Sequence, residues 1–164
     1  IYYISIPFAF AILFLFAVPN GFRWLLISLA LPWLTDVAAY YAGTYFGRKR
    51  FLTKISPKKT VEGFVGGILG CTLISLLIFI IFMRGPAPLQ SGAATVILYG
   101  VITGIVVGVV SQIGDWLASA IKRYAGRKDF GRLLPGHGGL LDRFDSVLTT
   151  LPFTLLISIF YSLF

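Results

Sequence analysis

The sequence predicts an all-α, polytopic integral membrane protein, and three observations lead there. Of its 164 residues, 57% are hydrophobic and 12% charged, where soluble domains run at about 25% charged. Apolar segments fall at about 1–19, 24–46, 61–83, 94–121 and 146–164, and crossing a bilayer takes roughly 18 such residues or more. Lipid offers the backbone no hydrogen-bond partners, so each segment must satisfy its own as a helix. The expected architecture is one transmembrane domain over 1–164, a bundle of about five transmembrane helices.

The first run starts at Ile1 without a Met, a basic leader or a clear small-residue cleavage site. It therefore does not read as a signal peptide, and the abrupt start predicts the C-terminal part of a longer membrane protein. The second run holds Pro32 and Asp36 in "LPWLTDVAAYYAG". The third carries Gly63 and Gly67 with Gly66 and Gly70 offset, and the fourth carries Gly100, Gly104 and Gly108. A spacing of four puts each set on one helix face, where small residues let backbones approach closely. Tight packing is the simpler reading of both sets, and also of the lone Cys71, which has no partner for an intramolecular disulfide. "GPAPLQSG" at 85–92 is a polar turn, and "PGHGG" stands before the last run.

Charge is divided unevenly among the connections. Arg48, Lys49, Arg50, Lys54, Lys58 and Lys59 lie in the second; Lys122, Arg123, Arg127, Lys128, Arg132 and Arg143 lie in the fourth. Only Arg23 and Arg84 lie in the other two. Alternating connections share one face, and by the positive-inside rule that face is cytoplasmic.

The six acids are more telling. Asp36 sits well inside the second span, and Asp115 seven residues before Lys122, or about 10 Å below the basic face at 1.5 Å per residue. Intramembrane acids are costly, face a cavity or the bundle interior, and mark functional paths. Glu62 begins a span and also reads as an ordinary helix-start acid. Asp142 and Asp145, three apart at the start of the last helix, project on nearly the same face. Taken alone, that pair reads equally well as helix capping after a Pro-Gly turn.

Inward Asp residues from the fourth and fifth spans would make an all-oxygen pocket. One His and one Cys cannot build a structural zinc site, whereas carboxylates suit Mg²⁺ or Mn²⁺, completed by water and substrate phosphates. The surrounding cations and the amides of "PGHGG" suit an anion. Together they predict a polyphosphate substrate and, from the membrane location, a lipid partner. His137, alone among glycines, suits a phosphate or substrate contact better than a base.

The stretch "SAIKRYAGRKDFGRLLPGHGGLLDRFD" at 119–145 resembles the signature of phosphatidate cytidylyltransferases, also called CDP-diacylglycerol synthases. The matching positions are Ser119, Lys122, Arg123, Lys128, Asp129, Gly131, Leu134, Pro135, His137, Gly138, Gly139, Asp142, Arg143 and Asp145. "WLTDVAAYYAGTYFGR" at 33–48 and "SPKKTVEGFVGG" at 56–67 are also similar to the family. One departure is Ala118, where many bacterial members have an acid.

The resemblance implies a longer enzyme with further N-terminal spans. Its activity would be Mg²⁺-dependent condensation of phosphatidic acid with CTP, giving CDP-diacylglycerol and pyrophosphate. It would sit in the bacterial inner membrane with its active site facing the cytoplasm. It assigns Asp115, Asp142 and Asp145 to the metal, and Lys122, Arg123, Lys128 and Arg143 to the phosphates. Asp129 and His137 would complete the catalytic group. Ser56, Lys58, Lys59 and Thr60 would contact nucleotide or lipid headgroup, with Asp36, Glu62, Ser119, Gly138 and Gly139 lining the substrate site. The partners expected are CTP, phosphatidic acid and the bilayer, with no nucleic acid and with a homodimer admitted. Three alternatives stay open: a CTP-dependent enzyme acting on an isoprenoid lipid or alcohol, an anion transporter or channel, and a non-catalytic binder of anionic lipid.

Overall fold

The computed structural model describes residues 2–50, 59–83, 92–127, 129–131, 139 and 141–163, with side chains from residue 5 onward. All five apolar runs are helical: α1 (Tyr2–Ala17), α2 (Gly21–Phe46), α3 (Val61–Ile78), α4 (Ala93–Tyr124) and α5 (Leu141–Tyr161). A single π turn, Phe79–Met83, prolongs α3. Among the described residues, α2, α3 with its π turn, α4 and α5 are long and apolar enough to cross a membrane. The apolar run Ser5–Ala17 of α1 is shorter.

The last helix begins at Leu141, ahead of the apolar run, with Asp142 and Asp145 in its opening turns as expected of a pair at the helix start. One boundary differs from the sequence expectation and brings charge into helix. α4 runs on to Tyr124 and carries Lys122 and Arg123 in its last turn. An acid near a helix N-terminus and cations near a C-terminus both complement the helix dipole. Charge alone therefore marks no helix end here.

The helices pack in chain order, α3 against α2 and α4, and α5 against α4 and α2, while α1 lies on α5 and α2. The two glycine faces do what their spacing predicts. A Cβ on Gly70 would stand 2.6 Å from the Ala38 Cβ, and one on Gly108 would stand 3.0 Å from the Ile68 Cα. Lipid tails are as apolar as leucine, so close van der Waals packing of this kind, rather than water exclusion, holds helices together.

At one end of the bundle the helix ends are tied by aromatic rings. Trp24 meets Phe79 and Tyr161 edge-on, with centroids 5.4 and 5.6 Å away, and Tyr99 meets Tyr161 at 5.2 Å. Such pairs contribute about 0.5–1.5 kcal/mol each beyond simple burial. Trp24 and Phe79 are buried almost completely. With that end closed by aromatics, the polar chemistry gathers at the other. There the C-terminal ends of α2 and α4 meet the N-terminal ends of α3 and α5.

Candidate functional site

The polar end is organised first by the start of α3. Thr60 is its N-cap, with its hydroxyl accepting the Gly63 N–H at 3.1 Å. Val61 N–H donates to the Lys49 carbonyl at 2.9 Å, and both Glu62 oxygens accept the Lys49 N–H at 3.2 Å. The chain leaving α2 is thereby stapled to the chain entering α3. Lys59, just before the cap, reaches α4, where its ammonium pairs with Asp115 Oδ2 and lies 5.4 Å from the centre of the Trp116 ring.

A second lysine organises the start of α5. Lys122 Nζ donates to Asp142 Oδ1 at 2.8 Å, lies 3.6 Å from Asp145 Oδ2, and stands 5.1 Å from the centre of the Phe130 ring. Asp142 Oδ2 accepts the N–H groups of Phe130 and Gly139, each at 2.9 Å. One carboxylate thus draws together α4, α5 and both flanks of the glycine-rich segment. Asp145 is 7% exposed, and its Oδ1 accepts the Ser146 N–H at 2.8 Å. Carboxylates at such depth need countercharge or hydrogen bonds, and the two lysines supply both.

Two cavities open beside these pairs. The first, of about 520 Å³, lies between α2, α3 and α4, and its walls include Asp36, Tyr40, Lys59, Thr60, Gln112 and Asp115. The second, between α2 and α5, is bordered by Trp33, Asp36, Asp142, Arg143, Phe144 and Asp145. Trp33 helps shape it, donating from Nε1 to the Arg143 carbonyl at 2.9 Å. Asp36 borders both cavities. Among the described residues it makes no hydrogen bond or ion pair, although Asp115, Lys59 and Asp145 are near enough for their charges to act on it.

The structure therefore brings together Asp36, Lys59, Thr60, Asp115, Lys122, Asp142, Arg143 and Asp145 of the expected site. Glu62 is turned to the Lys49 backbone instead. Arg123 and Asp129 are exposed and Ser119 half-buried, and none of the three is on either cavity wall. Gly139 acts through its backbone N–H on Asp142. Ser56, Lys58, Lys128, His137 and Gly138 lie outside the described residues.

Among the described residues no three Asp, Glu, His or Cys side chains gather into a ready-made metal cage. A divalent ion of the Mg²⁺ type does not need one, because it keeps several waters and takes one or two carboxylates plus substrate phosphates. The carboxylates on the two cavity walls are oxygen donors of the kind such an ion takes.

Sequence reasoning missed Trp33, Tyr40, Phe64, Gln112 and Trp116. A signal was available: Trp33, Asp36 and Tyr40 fall three and four apart on one face of α2, and Gln112 falls three before Asp115 on α4.

Comparison with known proteins bears on the same surface. The family model described as the cytidylyltransferase family matches residues 1–161. A phosphatidate cytidylyltransferase of Staphylococcus saprophyticus is 44% identical over 133 residues, 81% of this chain and 48% of that protein. Proteins of the same name from Staphylococcus haemolyticus and Staphylococcus aureus are 39% and 41% identical, with the same coverage. The chain spans 48% of the length of these curated relatives. A match along nearly its whole length, over helices whose polar ends build one charged site, leads to one conclusion: the chain belongs to the cytidylyltransferase family.

Proposed function

We propose that the protein transfers a cytidylyl group from CTP to phosphatidic acid, giving CDP-diacylglycerol and pyrophosphate. The observation that carries this reading is the pairing of Lys59 with Asp115 and of Lys122 with Asp142 and Asp145, around cavities at one end of apolar helices. The printed names of the relatives support it. An oxygen of the lipid phosphate would attack the α-phosphorus of CTP. The bond from that phosphorus to the bridging oxygen would break, and pyrophosphate would leave with the electron pair. No covalent link to the protein is needed, so catalysis reduces to positioning and charge neutralisation.

Each residue then has a task its surroundings suit. Lys59 and Lys122 offer ammonium groups to phosphate oxygens, held in place by their aspartates. Arg143, on the wall of the cavity between α2 and α5, adds a further cation beside Trp33 and Phe144. Asp115, Asp142 and Asp145 are the carboxylates we assign to Mg²⁺, with Mn²⁺ as a substitute. Asp142 would contribute through Oδ1, which among the described residues accepts the Lys122 ammonium alone, since Oδ2 already accepts two amide N–H groups. Such an ion would neutralise the charge of the nucleotide phosphates. The nucleotide would arrive from the cytoplasm and the lipid from the inner-membrane bilayer.

The test is incorporation of label from CTP into lipid by membranes containing the protein. Label should enter lipid only when phosphatidic acid is supplied, should stop in EDTA, and should be indifferent to a zinc-selective chelator. Incorporation independent of phosphatidic acid would favour an isoprenoid or alcohol acceptor, and transport without incorporation would sink the enzymatic reading. Mg²⁺ should tighten CTP binding, and by linkage CTP should tighten Mg²⁺ binding by the same factor.

A further inference from the structure

Gln112 sits on α4 three residues before Asp115, about 4.5 Å further into the bilayer. It is 4% exposed and borders the cavity between α2, α3 and α4. Its amide orientation is settled by its partners. Nε2 lies 3.1 Å from the Phe64 carbonyl oxygen and 2.9 Å from that of Gly108. Two carbonyls can be satisfied only by the amino side of the amide, so the oxygen must face away from them. Gly67 makes room for this arrangement, because a Cβ there would stand 3.0 Å from Nε2.

Among the described residues Oε1 has no hydrogen-bond partner. An oriented acceptor left open on a cavity wall is placed to take a donor from whatever fills the cavity. Beside it the rings of Phe64 and Trp116, both on the same wall, lie 5.1 Å apart at a tilt of 34°. A flat ring with one polar edge suits such a place, since aromatic faces accept bases by stacking and leave selection to hydrogen bonds.

We propose that Gln112 is the residue that selects the nucleobase, its Oε1 accepting a hydrogen bond from an exocyclic amino group. The proposal rests on the cytidylyltransferase reading and names what that reading leaves open. Cytosine carries an amino donor at the position where uracil carries a carbonyl acceptor. Against a fixed acceptor the amino group is bound and the carbonyl oxygen is repelled, with both groups removed from water. Sites that hydrogen-bond a substrate N–H reject strongly any analogue that lacks it. Oε1 distinguishes amino from carbonyl, not pyrimidine from purine, so the decisive comparison is CTP with UTP.

The experiment measures kcat/KM for CTP and for UTP with the protein in membranes. Wild type should prefer CTP. Gln112→Met, similar in length but without an oxygen acceptor, should reduce that preference by about tenfold or more, chiefly through loss on CTP. Equal losses on both nucleotides, or an unchanged preference, would reduce Gln112 to a brace between α3 and α4 and overturn the proposal. If the variant does not accumulate, wild type is given a CTP analogue with hydrogen in place of the amino group. A similar loss shows that the amino group is read, as the assignment requires, and turnover equal to that of CTP overturns it. Wild type that transfers label from neither nucleotide sinks the underlying reading, and this one with it.

Discussion

Asp36 and Lys122 show how differently single charges are held at the same end of the bundle. The Lys122 side chain is 12% exposed and faces the side chains of Asp142 and Asp145, themselves 10% and 9% exposed. Removing it strands two carboxylates, and breaking a buried pair costs about 3–5 kcal/mol. Lys122→Met should therefore lower the unfolding temperature of the purified protein markedly, and adding Asp145→Asn should restore part of the loss. Equal stability of Lys122→Met and wild type would remove the lysine from this role. Asp36 is the opposite case. It has no bonded partner among the described residues, and Asp115 and Asp145 repel its charge while Lys59 attracts it. Charges kept against stability are expected at working sites. Asp36 is exposed toward the cavities, where solvent screens these charges, so Asp36→Asn should leave thermal stability unchanged or slightly raised while lowering turnover. A variant less stable than wild type would make Asp36 a structural residue.

At the scale of elements, α3 is the helix on which the others register. One face carries Gly63, Gly66, Gly67 and Gly70 toward α2, and another meets Gly100, Gly104 and Gly108 of α4. The Gly70→Leu side chain must enter the space of Ala38 on α2, and overpacking of this kind costs about 1–3 kcal/mol. Leu73, three residues on, is 64% exposed on the outer face of the same helix, so Leu73→Ala should change stability far less. Comparable losses from both would mean that the two faces of α3 are not distinguished by packing. Displacing α3 also moves Lys59 and Thr60, which precede and cap it. Gly70→Leu should therefore lose activity more steeply than stability.

For the whole molecule, the described basic residues Arg48, Lys49, Arg50, Lys59, Lys122, Arg123, Arg127 and Arg143 lie at the ends of helices that meet around the cavities, while Arg23 lies at the aromatic end. Cysteines placed at Lys54 and at Arg127, with Cys71 replaced by Ser, should react with an impermeant thiol reagent only after the membrane is opened. Labelling of either in intact cells would turn the topology over, and a cytoplasmic nucleotide could no longer reach the site.

How much of this was legible depends on the range of the forces involved. The five helices could be read from composition, because in lipid a segment answers for its own backbone bonds. Asp36 and Asp115 could be singled out because a charge among apolar residues has no innocent local explanation. Gln112 could not be singled out beyond its place three residues before Asp115, since an uncharged amide on a helix looks like any tolerated polar residue until its two carbonyl partners are seen. Nor could the partner of Asp115, a lysine 56 positions away, or the engagement of Asp142 with residues 122, 130 and 139. The sequence by itself determined the membrane helices, the crowded basic face and the acids worth watching, because each follows from local hydropathy and charge. Only the tertiary structure decided which lysine meets which aspartate and which polar atoms face a cavity. Those pairings depend on the register of helices far apart in the chain, and that register is set by close helix packing such as that of Gly70 against Ala38, a partnership that no local pattern encodes.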